Sequence, residues 1–300
     1  MEASRATTAD ALALGGVRQI LADYITLTKP RVQLLLLLTT VTTMYVAGDP
    51  SMSLVALTVL GGSLSAGGAA AVNHYWDRDI DAQMARTATR PVPSGRVSPR
   101  AALIYGLALG ALSFLLLATT VNLLSAFLAL AGFLGYVFVY TIWLKRTTPQ
   151  NIVIGGAAGA VPPLVGWAAV TGGLDPAALY LFAIVFYWTP PHFWALSLLM
   201  RDEYARVGVP MMPVVRGDDE TRQLIVLYTV LLVALTLMPV VFGYFGLIYG
   251  AAALALGGVF IALALRLWRE AQRRSALRTY LYSLAYLALL FCAMVLDARL

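Results

Sequence analysis

Long apolar runs separated by short polar breaks fill nearly the whole chain. Nine can be delimited: Val32–Ala47, Ser51–Val72, Ala101–Thr119, Asn122–Leu144, Asn151–Thr171, Pro176–Met200, Leu224–Phe242, Phe245–Leu267 and Tyr280–Leu296. Most reach the ~20 residues that an α-helix needs to cross a bilayer, and the first is read as beginning nearer Thr28. The pattern predicts an all-α polytopic membrane protein of nine transmembrane helices. Residues 28–300 read as one transmembrane domain, with no linker or low-complexity tract. Residues 1–27 read as an N-terminal tail, in which Val17, Ile20, Leu21 and Tyr24 keep the spacing of a short helix lying at the membrane interface.

Composition agrees with this reading. Of 300 residues, 60% are hydrophobic and 12% charged, and the mean hydropathy is +0.79. A soluble protein of this size could not bury so much apolar surface. Trp76, Trp143 and Trp268 fall near predicted membrane edges, where indole rings anchor. The N-terminal text MEASRATTAD lacks a basic stretch running into an apolar core, so no cleavable signal peptide is expected. The single cysteine, Cys292, excludes an intrachain disulfide and is expected as a small buried apolar residue.

The charges orient the nine spans. With the N-terminus in the cytoplasm and strict alternation, all but Arg299 of the 21 Lys and Arg fall on the cytoplasmic face, and the C-terminus falls opposite. The positive-inside rule makes this the expected orientation, in a bacterial cytoplasmic membrane. The net charge of +6 therefore reports topology and gives no reason to propose a nucleic-acid partner. The loops on the far side are short. Function is expected in the long cytoplasmic loops Asp77–Arg100 and Arg201–Arg222 and in the cavity beneath them. Both loops carry acids, then prolines and arginines, a weak likeness that an internal repeat of helix groups would produce.

The chemistry concentrates where the second run meets water, in the text NHYWDRDID. Asn73, Asp77 and Asp81 are four residues apart, and each step of four rotates a helix by only ~40°, so the three share one face. Carboxylates at the end of an apolar helix are costly to desolvate and call for a function. Two carboxylates and an amide suit Mg²⁺, which binds through oxygens and bridges to substrate phosphates; an exposed polar helix end with ordinary pairing is the alternative. Asp79 points elsewhere and is expected to pair with Arg78 or Arg86. Arg86 and Arg90 follow the acids and are candidates for phosphate contact, with Arg96 and Arg100 weaker ones. Asp202 is the candidate for a second metal ligand, flanked by Arg201 and Arg206; the alternative is a charged cytoplasmic cap. Asp218 and Asp219 are expected to begin the next helix. Lys145 and Arg146 would cover a diphosphate or bind anionic lipid. Pro162-Pro163 and Pro190-Pro191 should interrupt helical hydrogen bonding and open space. Gly155, Gly156 and Gly159 allow close packing nearby. His192, after the second proline pair, would ligate haem iron, move a proton, or serve as a hydrogen-bonded structural residue.

These residues lie in longer strings: LTKPRV, NHYWDRDIDAQMARTATRPVPSGRVSP, YTIWLKRTTPQNIVIGGAAGAVPPLVGWAAVTG, WTPPHFWALSL and DEYARVGVPMMPVVRG. Together they resemble the UbiA superfamily of intramembrane prenyltransferases, and within it the branch that farnesylates haem. The resemblance runs from about Thr28 to the eighth span. It implies a bundle around a central cavity, open to the cytoplasm and to lipid. It also implies the reaction of farnesyl diphosphate with haem b and water to give haem O and diphosphate, with Mg²⁺ as cofactor. Asn73, Asp77 and Asp81 match the first aspartate motif position by position. Asp202 matches part of the second, and Met200 and Tyr204 stand where some members carry acids. Arg201, Arg206 or Lys145 would meet the haem propionates. An enzyme oxidising haem O further, and terminal oxidase assembly, are the downstream partners such a product implies. Another prenyl acceptor, such as a quinone precursor, and a non-enzymatic haem transporter or chaperone are the competing readings.

Overall fold

The structure is a computed structural model that describes residues 16–300; the reading of residues 1–15 as tail lies outside the described residues. Helix α1 spans residues 16–27. It leads through a two-residue turn into α2 (Pro30–Ala47), then α3 (Met52–Trp76), the short α4 (Arg78–Gln83) and α5 (Pro99–Thr120). Helix α6 (Leu123–Leu134) continues as a π-helix over Gly135–Trp143 and a 3-10 turn over Leu144–Arg146. There follow α7 (Asn151–Thr171), α8 (Pro176–Leu199), the short α9 (Arg201–Arg206) and α10 (Met212–Val215), α11 (Gly217–Val241), α12 (Leu247–Glu270) and α13 (Arg273–Arg299).

Among the described residues, eight helices are long and apolar enough to cross a membrane, counting α6 with its π extension as Leu123–Arg146. The ninth long helix, α8, has 24 residues. It is as long as its neighbours, and its run of Tyr187, Trp188, Thr189, two prolines and His192 interrupts an otherwise apolar stretch. Several helices outrun the apolar stretches: α3 continues to Trp76, α11 starts at Gly217 and α13 at Arg273. Hydropathy marks where lipid ends, whereas the backbone ladder continues into water on polar residues. Helix starts are capped as their sequences demand, by Ser51, Ser98, Asn122 and Asp175.

Successive long helices pack as neighbours from α2 round to α13, and α13 packs back on α2 to close the ring. Cross-contacts of α2 with α7 and of α8 with α13 pinch it. The tightest seam joins α3 and α5. A Cβ on Gly68 would stand 2.6 Å from the Gly106 carbonyl oxygen, and one on Gly106 would stand 2.7 Å from that of Gly68. Without a hydrophobic force between helices in lipid, such backbone approach and interhelical hydrogen bonds supply cohesion. Ser113 Oγ donates to the Gly61 carbonyl at 2.7 Å and Ser65 Oγ to that of Ala129 at 3.1 Å.

Both proline pairs lie inside helices that run on through them. The missing N–H groups cost hydrogen bonds, yet the surrounding helices hold the path. Cys292 is exposed on α13, correcting the expectation of a buried thiol; its position on the outer face gives it lipid for a neighbour. Gly106→Val would wedge α3 from α5. Such overpacking costs about 1–3 kcal/mol, so the thermal midpoint in detergent should fall; a midpoint equal to that of the parent would contradict the seam.

Candidate functional site

The acids form a ladder at the end of α3. Asp77 caps α3 and starts α4, with φ −87° and ψ 9°. The i→i−4 hydrogen bonds nevertheless pass through it, Asp77 N to Asn73 O at 2.9 Å and Asp81 N to Asp77 O at 2.8 Å. The shared face foreseen from the spacing is thus kept across a change of helix. Asn73, Asp77 and Asp81 are only 4%, 1% and 4% exposed.

Buried carboxylates demand partners, and each has a cation. Lys145 Nζ bonds Asp77 Oδ2, whose neighbour Asn73 Nδ2 donates to the same oxygen at 2.7 Å. Arg90 Nη1 reaches both oxygens of Asp81, at 3.0 and 2.8 Å. Arg146 forks onto Asp79 at 2.7 Å through both nitrogens and touches Asp77 at 3.5 Å. Asp79 therefore pairs with Arg146, not with Arg78 or Arg86. Arg78 turns back to the Tyr75 carbonyl, and Arg86 reaches the Tyr204 hydroxyl at 3.3 Å. The Arg146 hydrogen bond lowers the Asp79 carboxyl to about 2.

Lys29 completes the cluster and is absent from the sequence-derived candidates. Its Nζ donates to Asn73 Oδ1 at 2.7 Å. Its backbone is left-handed, φ 51° and ψ 56°, an uncommon conformation for lysine, at the turn between α1 and α2. Burial, then Arg90 and Lys145, bring its ammonium down to about 7, against the pull of Asp81 and Asp77. The signal available in the sequence was a lone lysine at the edge of an apolar run. Thr141, from the π-helix, accepts from Asn73 Nδ2 at 3.2 Å, and Thr87 Oγ1 donates to the Asp81 carbonyl at 2.8 Å. His74 is buried, and among the described residues neither ring nitrogen has a hydrogen-bond partner, its Nδ1 lying 3.9 Å from Asp81.

The remaining candidates lie apart. Asp202 is exposed on α9, and no hydrogen bond or ion pair among the described residues joins it to the first three acids. Arg206 is also exposed, and Arg201 faces Asp218 at 3.5 Å. Asp218 and Asp219 sit in the first turn of α11, as expected. What α9 brings to the cluster is Tyr204, under Arg86, and not an acid. The loop after α8 does open on a six-residue helix, as the loop after α3 does.

Beneath the charged cap lies a cavity of about 560 Å³. Lys29, Gln33 and Tyr136 line its upper part. Its walls are otherwise mostly apolar, from α2, α3, α6, α7, α8 and α13. Gly155 and Gly156 let Tyr140 and Thr189 pack closely, whereas nothing lies within 4 Å of a Cβ built on Gly159, which faces open space. His192 lines the cavity, stacked between Trp188 at 4.3 Å and Tyr280 at 5.0 Å. Ser283 Oγ donates to the Tyr280 carbonyl at 2.6 Å, which leaves it to accept from His192 Nδ1 at 2.7 Å. His192 is then the Nδ1–H tautomer, with Nε2 unprotonated.

The donor set fits Mg²⁺: hard oxygens from two carboxylates and one amide, on one face. No group of three His, Cys, Asp or Glu converges among the described residues, and Mg²⁺ needs only one or two carboxylates when water and phosphate complete its shell. Arg90, Lys145 and Arg146 match the carboxylates of Asp77, Asp79 and Asp81 charge for charge, and Lys29, bonded to Asn73, adds a positive charge in excess when it is protonated. That surplus is what an anion would neutralise.

Comparison with known proteins is consistent with this geometry. The model of the UbiA prenyltransferase family matches residues 36–292. A protoheme IX farnesyltransferase of Roseiflexus sp. is 57% identical over 96% of this chain and 54% of its own length. The chain thus spans about half the length of that relative. One of the same name from Symbiobacterium thermophilum is 53% identical over 93% of this chain and 95% of its own length. A UbiA homologue from Archaeoglobus fulgidus, solved bound to DMAPP and Mg²⁺, superposes with a TM-score of 0.68 over 91% of this chain and 99% of its own. At 18% identity it speaks for the fold alone.

The Lys145–Asp77 pair gives a test independent of activity. Lys145→Met leaves the buried Asp77 with only the longer Arg146 contact at 3.5 Å and should cost about 3 kcal/mol, the lower end for a broken buried pair. Adding Asp77→Asn should recover most of the loss in thermal unfolding; an unrecovered double variant would show that the charge pair is not the cause.

Proposed function

The chain belongs to the UbiA prenyltransferase family, and from that premise we propose that it transfers farnesyl from farnesyl diphosphate to a vinyl group of haem b. Water adds in the same reaction, and the products are haem O and diphosphate. The observation that carries the reading is the stacking of two environments: a cationic, acid-lined cap directly over an apolar cavity. A prenyl diphosphate has the same two parts. The relatives' name supports haem as the acceptor.

Each part of the site has a task. Lys29, Arg90, Lys145 and Arg146 receive the diphosphate oxygens and stabilise the charge that grows there as the allylic C–O bond breaks. Arg86 stands beside them. Asn73, Asp77 and Asp81 would hold Mg²⁺, which when bound supplies further charge neutralisation at the leaving group. Asp202 is the candidate for a second ligand only if α9 moves toward the cap on binding. The apolar walls keep water from the farnesyl cation until the vinyl carbon attacks. Water then adds to the porphyrin-side cation, leaving the hydroxyl, and its released proton passes to the departed diphosphate. His192, with Nε2 unprotonated on the cavity wall, ligates the haem iron and sets the macrocycle's position. Arg201 and Arg206 are the cations available to propionates at the rim. The cap faces the cytoplasm, in keeping with the segregation of Lys and Arg.

With farnesyl diphosphate and Mg²⁺ supplied to purified protein, haem b should be converted to haem O. Prenylation of a hydroxybenzoate with haem untouched would refute the choice of acceptor. Asp77→Asn should lower turnover by ~10²–10³-fold while haem binding persists; full product formation by that variant would remove the central assignment. His192→Ala should change the absorption spectrum of bound haem, and an unchanged spectrum and rate would leave His192 a structural residue.

A further inference from the structure

Helix α1 precedes the ring, and besides the packing of Tyr24 on Tyr105 two of its attachments lead toward the acid cluster. The first begins at Asp23, a carboxylate only 5% exposed. Arg96 places its Nε on both Asp23 oxygens, at 3.0 and 3.1 Å. The same guanidinium donates to the Thr89 carbonyl at 3.1 Å and to Ser94 Oγ at 2.8 Å. Ser94 Oγ in turn donates to the Arg90 carbonyl at 2.7 Å. Arg96 thus holds the backbone on both sides of Arg90, whose own guanidinium reaches Asp81. The second attachment is Leu27, fully buried in a cluster with Ala71, Val92, Val97 and Ala102. Two residues later Lys29 bonds Asn73.

We propose that Asp23 is a positioning residue for the diphosphate subsite: through Arg96 it fixes the turn from Thr89 to Ser94 and so the place of the Arg90 guanidinium. The proposal rests on the reading of Arg90 as a diphosphate ligand. A carboxylate–guanidinium pair with its arginine 40% exposed is a weak source of stability, and apolar replacements at such a pair often do as well. What an apolar pair cannot do is donate to the Thr89 carbonyl and Ser94 hydroxyl. Without those bonds the backbone around Arg90 keeps its packing through Val92 and Val97 but loses its register to Asp81. An error of about 1 Å in a binding group is enough to matter at a charged site.

The test is binding of inorganic pyrophosphate with Mg²⁺ to the full chain in detergent, by calorimetry, with hydrogen exchange over residues 84–97. Asp23→Asn, and the apolar pair Asp23→Leu with Arg96→Met, should each bind pyrophosphate roughly tenfold more weakly than the parent. Exchange in that segment should rise, and Asp23→Glu should restore part of the affinity. Parental affinity in the apolar pair would overturn the positioning role alone. So would failure of both variants to fold, which would make the pair structural. A parent chain that does not bind pyrophosphate would refute the diphosphate reading itself, and the proposal with it.

Discussion

A carboxylate in the mouth of a membrane bundle cannot stay ionised unless a cation reaches it, and much of this structure follows from that constraint. Asp77 and Asp81 are almost wholly removed from solvent. Their partners come from three separate places: Lys145 from the end of α6, Arg90 from the loop after α4, and Lys29, through Asn73, from the turn before α2. None of these contacts is local in the way that an i,i+4 pair on one helix is. Helices α2, α3 and α6 must come together, and the loop after α4 must fold back, before the acids are satisfied. Stability of the cap and assembly of the site are therefore one event.

Small residues carry the same logic downward. The α3 stretch from Gly67 to Ala71 presents almost no side chain, so α5 can approach closely on one side while the cavity opens on another. The result is a sharp boundary between two dielectric environments. Charge sits in a cap braced by hydrogen bonds, and the space below offers little to solvate it. In the proposed reaction that boundary separates the leaving group from the cation it leaves behind.

The helices and the acid ladder were legible in the sequence because both depend on short-range periodicity. Span positions follow from apolar length, and Asn73, Asp77 and Asp81 share a face by spacing alone. The partners were less legible. Arg146 reaches Asp79 across 67 residues, and Lys29 reaches Asn73 across 44; nothing in spacing encodes such approaches. Arg96 and Asp23 are a pair that charge counting would assign to topology and tail respectively. Asp202 shows the converse. Its charged neighbourhood reads as a second site by sequence, and in the structure Asp202 is exposed on α9 while Tyr204 is the residue of that helix that meets Arg86. The π winding of Gly135–Trp143 leaves no compositional mark at all, since Tyr, Val, Phe and Ile suit α-helix and π-helix alike.

That winding has an evolutionary side. A π turn accommodates an extra residue within a helix, and such bulges recur at functional sites. Lys145 and Arg146 lie just past it, and each residue of helix turns a side chain by about 100°. A lineage that lost one codon between Gly135 and Trp143 could relax to ordinary α winding and swing both bases away from Asp77 and Asp79, with every catalytic letter still present.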